Sequence, residues 1–583
     1  MTRDFRSYAG LSSEDRYNSD LPVKTKIYDA LIVGSGASGG WVAKELAEKG
    51  MEVLMLEAGP PRIPSRDFTE HAWPYQVRYR GFGNQKRMLE SQPVQRLCYA
   101  CDDYSHQFFV DDHEHPYTFP ADKPFMWIRG RQVGGKTFCW ARESYRYSDY
   151  EFQAASRDGY EQNWPFRYAE LEPYYDRVES YIGVSGSREG LAQMPDGKFL
   201  PPMNLSCGEV LAKGVIEQKF GWRLMPDRVA NLTVPHNGRP ACHYCDQCQR
   251  GCHTASYFNS PSVTLPAAAR TGRFTLLSDA VVSHVAMNRE GRAEGVHYID
   301  RLTKEHRQAR AKIVIIAAAT LESTRILLNS RSPHFPNGVG NSSGVLGHYL
   351  MDHFTVEGAG GELASLKGSQ REVTGNPCGY LIAKYANTDG YKNANFLRGY
   401  RFDGAAGQQL YEQAFSLTGF GSAWREKVRR EIPYYISLEA QGECLPRFDN
   451  YVELDAEKKD AWGIPVLRIN ASFGENEQAM AKAMRRDIGN MLDALQVKDG
   501  TPADEGLSIF GKNIHECGTA RMGTDPKKSV LNAYNQVHDV KNVFVTDGAA
   551  FVTQGCYEPT LTIMAISVRA ADYIVESAKR REL

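Results

Sequence analysis

Residues 27–59 read IYDALIVGSGASGGWVAKELAEKGMEVLMLEAG: a short apolar run, a glycine-rich turn, an amphipathic stretch and a second apolar run ending at Glu57. That order predicts strand, turn, helix and strand, the βαβ unit of dinucleotide binding. Gly34 would allow the tight turn, Gly36 would let the backbone approach a pyrophosphate, and Gly39 would let the helix pack against the strand. The helix N-terminus then offers amide donors and a partial positive charge to the phosphates. Glu57 stands 23 residues beyond Gly34, where an acid is expected to meet a ribose hydroxyl. Its charge would repel a 2′-phosphate, so NAD or FAD is preferred over NADP. A glycine turn that binds nothing is the competing reading, and the strand before, the helix after and the acid in place weigh against it.

The chain has 583 residues, long enough for one multi-lobed unit or two to four domains. Its 69 basic and 70 acidic residues nearly cancel, and no long basic run occurs. That argues against nucleic acid or an anionic membrane as the main partner. The longest apolar stretch, IVIIAAATL from Ile313, covers about half a membrane span, so no membrane helix is expected. The first residues, MTRDFRSYAGLSSEDRYNSDLPVKTK, are polar and lack the apolar centre of a secretory signal, so the chain taken alone reads as cytoplasmic.

Four of the 12 cysteines fall in CHYCDQCQRGC, residues 242–252. Cys242, Cys245, Cys248 and Cys252 follow C-x2-C-x2-C-x3-C, the bacterial ferredoxin run without its terminal proline. Zinc is an alternative, with His243 and His253 at hand, and so are disulfides if the protein is exported. Such close cysteines close only small loops, which stabilise little. Cys98 and Cys101 form a second CxxC, expected as free thiols or a local disulfide in preference to a redox pair.

Further motifs resemble the glucose–methanol–choline (GMC) family of FAD-dependent oxidoreductases. RGRQVGGKTFCWAR (129–142) is similar to the family's first signature and AKIVIIAAATLESTRILLNS (311–330) to its second. VLGHYLMDH (345–353), HECGTARMG (515–523), VTDGAAF (545–551) and EPTLTIMAISVRAAD (558–572) resemble later blocks, in family order. The resemblance implies an α/β fold, α+β overall: a discontinuous Rossmann-type FAD-binding domain with a substrate-binding lobe built on an antiparallel sheet. The expected organisation is a polar leader over 1–24, the FAD-binding domain over 25–200 and 261–345, a cysteine-rich insert over 201–260, a substrate-binding domain over 346–505, and a C-terminal return to the FAD domain over 506–583.

Carried over by motif, Gly34, Gly36, Gly39 and Glu57 would hold the ADP half of FAD, and the Val282 backbone would meet the adenine. Gly134, Gly135 and Thr137 would border the flavin, and Asp547 with Gly548 its ribityl and phosphate region. Cys139 stands where related sugar oxidases carry a flavin-linked histidine, which implies non-covalent FAD. His515 matches the catalytic histidine. Oxidising a secondary alcohol removes a proton from oxygen and a hydride from carbon; imidazole suits the first task and flavin N5 the second. Where the family commonly has His or Asn, this chain has Glu558, which would hold a sugar hydroxyl, accept its proton, or orient and charge His515, with Tyr557 as the alternative. His348 and His353 fall in a motif of structural character and stay outside the expected site. Trp140, Trp164 and Trp462 are candidates for stacking on a pyranose, with core packing the bland alternative.

In multi-subunit relatives a cysteine-rich insert carries an iron–sulfur centre whose ligand pattern, C-x5-C-x3-C, is met by Cys242, Cys248 and Cys252. Three ligands imply [3Fe–4S], and Cys245 as a fourth implies [4Fe–4S]. The resemblance therefore implies a sugar dehydrogenase passing electrons from flavin through the cluster to a cytochrome c acceptor. A small subunit with the export signal would place it in the periplasm. Glycoside 3-dehydrogenase is the first choice, ahead of gluconate 2-dehydrogenase and glucose 1-dehydrogenase. A GMC alcohol or sugar oxidase with structural zinc is the alternative.

Overall fold

Strands β1 (Ile27–Val33) and β2 (Val53–Leu56) lie parallel in register, joined by helix α1 (Ala37–Glu48). The structure, a computed structural model, describes residues 26–366, 379–407, 417–501, 503 and 506–583; the expected leader 1–24 lies outside them. All four residues of β2 and the Ala30–Val33 end of β1 are apolar and buried, as strands at the centre of a helix-covered parallel sheet must be. Phe274–Leu277 pairs with β2, and His306–Ile316 pairs with β1, both parallel. Val543–Val545 adds a further parallel strand, placing Val543 beside Val314 from 229 residues downstream. Ala280–Met287 and Ala293–Asp300 complete the sheet as an antiparallel pair. Helix α1 packs against the C-terminal helix Thr560–Lys579 and against Thr264–Arg270, where a methyl on Gly40 would come within 2.5 Å of Thr264 Oγ1.

A second sheet is antiparallel throughout its main path: Lys498–Thr501, Phe354–Glu362, Tyr435–Gly442, Tyr400–Gly404, Tyr380–Ile382 and Leu224–Pro226, in that order. Its strands alternate in the ordinary way. Tyr400, Phe402, Leu438 and Ala440 enter an apolar core shared with helices Cys207–Phe220 and Glu475–Ala494. Arg401, Asp403, Glu439 and Gln441 take the other face, with Arg401 opposite Gln441 and Asp403 opposite Glu439.

Two stretches cross the expected boundaries. Helix Cys207–Phe220 and strand Leu224–Pro226, expected within the cysteine insert, are built into the second sheet and its core. Conversely, the hairpin of Tyr451–Lys459 and Pro465–Asn470 packs on helix Thr320–Asn329 of the dinucleotide domain, where Arg325 Nε donates to Pro465 O at 2.8 Å. Each segment follows its apolar side chains to the nearest core, which linear order does not reveal. No helix among the described residues is long and apolar enough to cross a membrane.

Candidate active site

The expected cofactor residues gather at the C-terminal ends of the parallel strands, the usual ligand edge of such a sheet. Gly34 holds φ at +98°, and a methyl there would strike Ala317 O at 2.4 Å. A methyl on Gly39 would lie 2.0 Å from Gly34 O, so α1 sits directly on the turn. Gly36 differs: nothing but Gly134 O, at 4.0 Å, would come near its methyl, and no side chain caps the α1 N-terminus that follows it. An open glycine beneath uncapped helix amides fits a dinucleotide phosphate.

Ser35 stitches the pieces together. Its N–H and Oγ donate to Glu57 Oε2 at 3.1 and 2.6 Å, and Gly134 N donates to Ser35 Oγ at 2.9 Å. Gly59 N donates to the other Glu57 oxygen at 3.1 Å, and burial holds this carboxyl above its ordinary range. Val282 lies on the strand Ala280–Met287, which begins where Ala280 N meets Glu57 O at 2.9 Å. The loop from Gly134 to Thr137 closes on itself through Thr137 Oγ1, which donates to Gly134 O at 2.6 Å, and Gly135 faces Gly36. Asp547 receives Ala549 N at 3.0 Å and Ser323 Oγ at 2.5 Å; burial raises it to about 6. Gly548 leaves no room for a side chain beside Thr320 Oγ1, at 2.6 Å from an added methyl.

His515 is held from three directions. Its N–H donates to Asp352 Oδ1 at 3.0 Å, Gln554 Nε2 donates to its carbonyl at 2.7 Å, and its Nδ1 lies 2.9 Å from Nδ1 of His353. His353, left out by sequence reasoning, is thus in direct contact with the expected base. Its Nε2 lies 2.9 Å from Gly555 O. A carbonyl only accepts, so His353 Nε2 carries the hydrogen and its Nδ1 presents a lone pair. His515 must then donate through Nδ1, which leaves Nε2 as its basic nitrogen. Burial drives His515 down to about 4 and His353 well below its ordinary value, so both rings are neutral near pH 7.

Glu558 belongs to a buried charge cluster on the polar face of the second sheet. Its Oε1 pairs with Arg401 Nη2 and accepts Gln441 Nε2 at 3.0 Å. Arg401 also meets Glu143 at 3.2 Å and Asp403 at 2.6 Å. Burial opposes ionisation of Glu558, but the Arg401 charge outweighs it and holds the carboxyl at about 2. Glu143 and Asp227 are driven well above the carboxylate range by burial and by neighbouring acids, and Glu439 by the Asp403 charge and burial; these keep their protons. Tyr145 donates to Asp227 at 2.8 Å. Glu558 is therefore a fixed negative charge that favours the protonated form of His515. The Tyr557 hydroxyl is buried against Lys384 N at 3.1 Å.

Trp164 and Trp462 are core residues: their indole N–H groups donate to Thr553 Oγ1 at 2.8 Å and Arg301 O at 3.2 Å, and neither side chain is free to stack on a sugar. Trp140 is half-buried against Phe258. Cys139 is buried and its thiol pushed up to about 12.

Cys242, Cys245, Cys248 and Cys252 line one small cavity with Asn231, Asp246 and Tyr257. All four are free thiols, as are Cys98 and Cys101. Tyr244 N points to Cys242 Sγ at 3.3 Å and Asn231 Nδ2 to Cys248 Sγ at 3.8 Å, donors of the kind that sulfur ligands use. Among the described residues, no three His, Cys, Asp or Glu side chains stand in ready metal-binding geometry. The donor set fits a sulfur-ligated centre in kind and number, while its closed geometry is not formed. Tyr257 links the two regions. Its ring packs with Cys248 and Cys252, and its hydroxyl donates to Phe138 O, at the end of the Gly134–Thr137 loop, at 2.6 Å.

Comparison with known proteins gives the family and the fold. Two family models described as GMC oxidoreductase match residues 28–355 and 446–567. The chain is 31% identical over 566 residues to 2-methyl-1,2-propanediol dehydrogenase of Mycolicibacterium austroafricanum, covering 94% of this chain and 95% of the relative. It is 28% identical to the fructose dehydrogenase large subunit of Gluconobacter japonicus, covering 95% and 98%. The solved pyridoxine 4-oxidase from Mesorbium loti shares the fold with a TM-score of 0.59 and 17% identity, covering 94% of this chain and 98% of that one.

Proposed function

The chain belongs to the GMC oxidoreductase family, FAD-dependent enzymes acting on CH–OH groups, and from that premise we propose that it is a dehydrogenase of a neutral sugar, oxidising a secondary hydroxyl, with C3 of a glycoside the first choice. The observation that carries this reading is the polar face of the second sheet beside His515. There Glu143, Asp227 and Glu439 keep their protons around the ionised Glu558–Arg401 pair and Asp403. Protonated acids both donate and accept, which matches sugar hydroxyls. Arg401, the one guanidinium on this face among the described residues, is already paired with Glu558, so the carboxylate of gluconate finds no free cation there and gluconate is the weaker substrate.

His515 Nε2 takes the hydroxyl proton. The imidazolium that forms keeps its Nδ1–H on His353 and is stabilised by the Glu558 charge. FAD, when bound, supplies the hydride acceptor. Asp352 and Gln554 hold the backbone of His515 so that its ring keeps one orientation.

We further propose that Cys242, Cys248 and Cys252, with Cys245 as a fourth candidate, hold an iron–sulfur cluster that relays electrons to a cytochrome c-type acceptor. The hydrogen bond from Tyr257 to Phe138 O supports this reading, because it puts the cysteine cavity one side chain from the Gly134–Thr137 loop. The fructose dehydrogenase relative is by name a large subunit, which supports a partner subunit, and export with such a partner would place the enzyme in the periplasm. The test is an anaerobic titration of the purified holoenzyme with glycosides, free sugars, 1,2-diols and gluconate, following flavin absorbance. Bleaching by glycosides and not by gluconate is expected; bleaching by gluconate alone overturns the substrate assignment. Two to four irons with acid-labile sulfide per chain support the relay, and one zinc without iron overturns it.

A further inference from the structure

We propose that the stretch 72–89, AWPYQVRYRGFGNQKRML, is the docking surface for an electron-accepting protein with an acidic face, which receives electrons beside the cysteine cavity. This rests on the relay reading above.

The stretch contains no acidic residue, although the whole chain carries a net charge of −1. Arg78, Arg80, Lys86 and Arg87 are all exposed; Lys86 lies 3.9 Å from Glu90 just beyond the stretch, and the charge of the three arginines faces solvent. Interleaved with them, Trp73 is 63%, Tyr75 72% and Phe82 73% exposed, and the rings of Trp73 and Tyr75 stack with centroids 6.4 Å apart. Large aromatic surfaces left open beside arginines are what protein interfaces use as anchors, and burying them on a partner recovers the cost of exposing them.

The stretch is fastened to the cysteine loop. Thr69 N donates to Arg250 O at 2.9 Å, Glu70 Oε1 accepts His253 N at 2.5 Å, and the rings of His71 and His243 lie 5.0 Å apart. Phe68 fills the space in which Gly251 has no side chain, 2.4 Å from where a methyl would be. Trp73 and Tyr75 follow within a few residues. Tyr244, between Cys242 and Cys245, is itself exposed, so the cysteine loop reaches the surface.

A membrane surface is the other occupant to weigh. Interfacial anchors are continuous amphipathic helices, whereas this stretch has only the three-residue turn Pro74–Gln76 and the start of the seven-residue helix Gln85–Ser91. Broken backbone, aromatic anchors and net positive charge favour an acidic protein, whose approach would be steered electrostatically.

The test uses the substrate-reduced holoenzyme in stopped flow with a small c-type cytochrome of net negative charge. In Arg78→Glu/Arg80→Glu the second-order rate should fall about tenfold or more at low ionic strength, and the difference should vanish at high salt. In Trp73→Ser/Tyr75→Ser the KM for the cytochrome should rise. Substrate-driven flavin bleaching should be unchanged in both. Equal cytochrome rates in wild type and the charge-reversed enzyme overturn the docking surface alone. So does binding to anionic phosphatidylserine vesicles that the same substitutions abolish. A wild-type enzyme that bleaches but holds no iron overturns the relay reading instead.

Discussion

The Nδ1 atoms of His353 and His515 lie 2.9 Å apart, and the Gly555 carbonyl on the far side of His353 decides which of them carries the hydrogen. One backbone oxygen, acting through one imidazole, sets the basic nitrogen of another.

His353→Leu should therefore lower kcat on the order of 10²-fold or more, because His515 loses the acceptor that fixes its tautomer. His353→Asn or His353→Gln, whose amide oxygen accepts, should recover part of the loss. Steady-state kinetics of the three variants, with thermal melts to exclude unfolding, decide it. If leucine and asparagine behave alike, the tautomer argument is wrong.

The acid limb of the rate profile should lie near pH 4, with activity lost as pH falls through that value, because the proposed role of His515 as base requires the unprotonated ring. Removing the nearby negative charge in Glu558→Gln should move the limb to still lower pH. A limb that stays in place in Glu558→Gln would show that the two groups do not communicate.

Stability gives an independent view of Glu558. Its folded pKa of about 2 lies below the ordinary 4.5, so its contribution is fully present above about pH 4.5 and lost as pH falls toward 2. Glu558→Gln should cost about 3–5 kcal/mol at neutral pH by leaving Arg401 short of a carboxylate. The cost should shrink with acidification in denaturant melts run from pH 7 to 3.

The glycine turn should separate folding from binding. Gly39→Ala drives a methyl to 2.0 Å from Gly34 O and should destabilise the fold by about 1–3 kcal/mol or more. Gly36→Ala meets nothing nearer than 4.0 Å and should fold normally, yet retain less FAD because the methyl would occupy the open space expected for the pyrophosphate. Flavin content per folded chain is the readout.

Cys248, buried with Tyr257, and Cys245, half-buried in the lining of the same cavity, should differ. Cys248→Ser is expected to lose the proposed cluster, and Cys245→Ser to keep three irons per chain. Iron and sulfide analysis with EPR distinguishes these outcomes, and loss of all iron in Cys245→Ser would make it an obligatory fourth ligand.

Residues 27–59 announced the parallel sheet because a βαβ unit is local: its strands, glycine turn and helix are neighbours in sequence, and their spacing is set by backbone geometry alone. The order of the later motifs likewise pointed to His515 and to the residues around the dinucleotide edge. The catalytic surroundings had no such signal. His353 precedes His515 by 162 residues, and Arg401, on an unremarked strand, precedes Glu558 by 157. Tyr257 reads as one aromatic among 31 tyrosines until its hydroxyl is seen on Phe138 O. Sequence by itself determined the fold class and singled out His515 as the candidate base. Only the tertiary structure decided the tautomer of that base and the ionisation of Glu558, because both depend on burial and on partners brought within 3 Å by distant strands and loops.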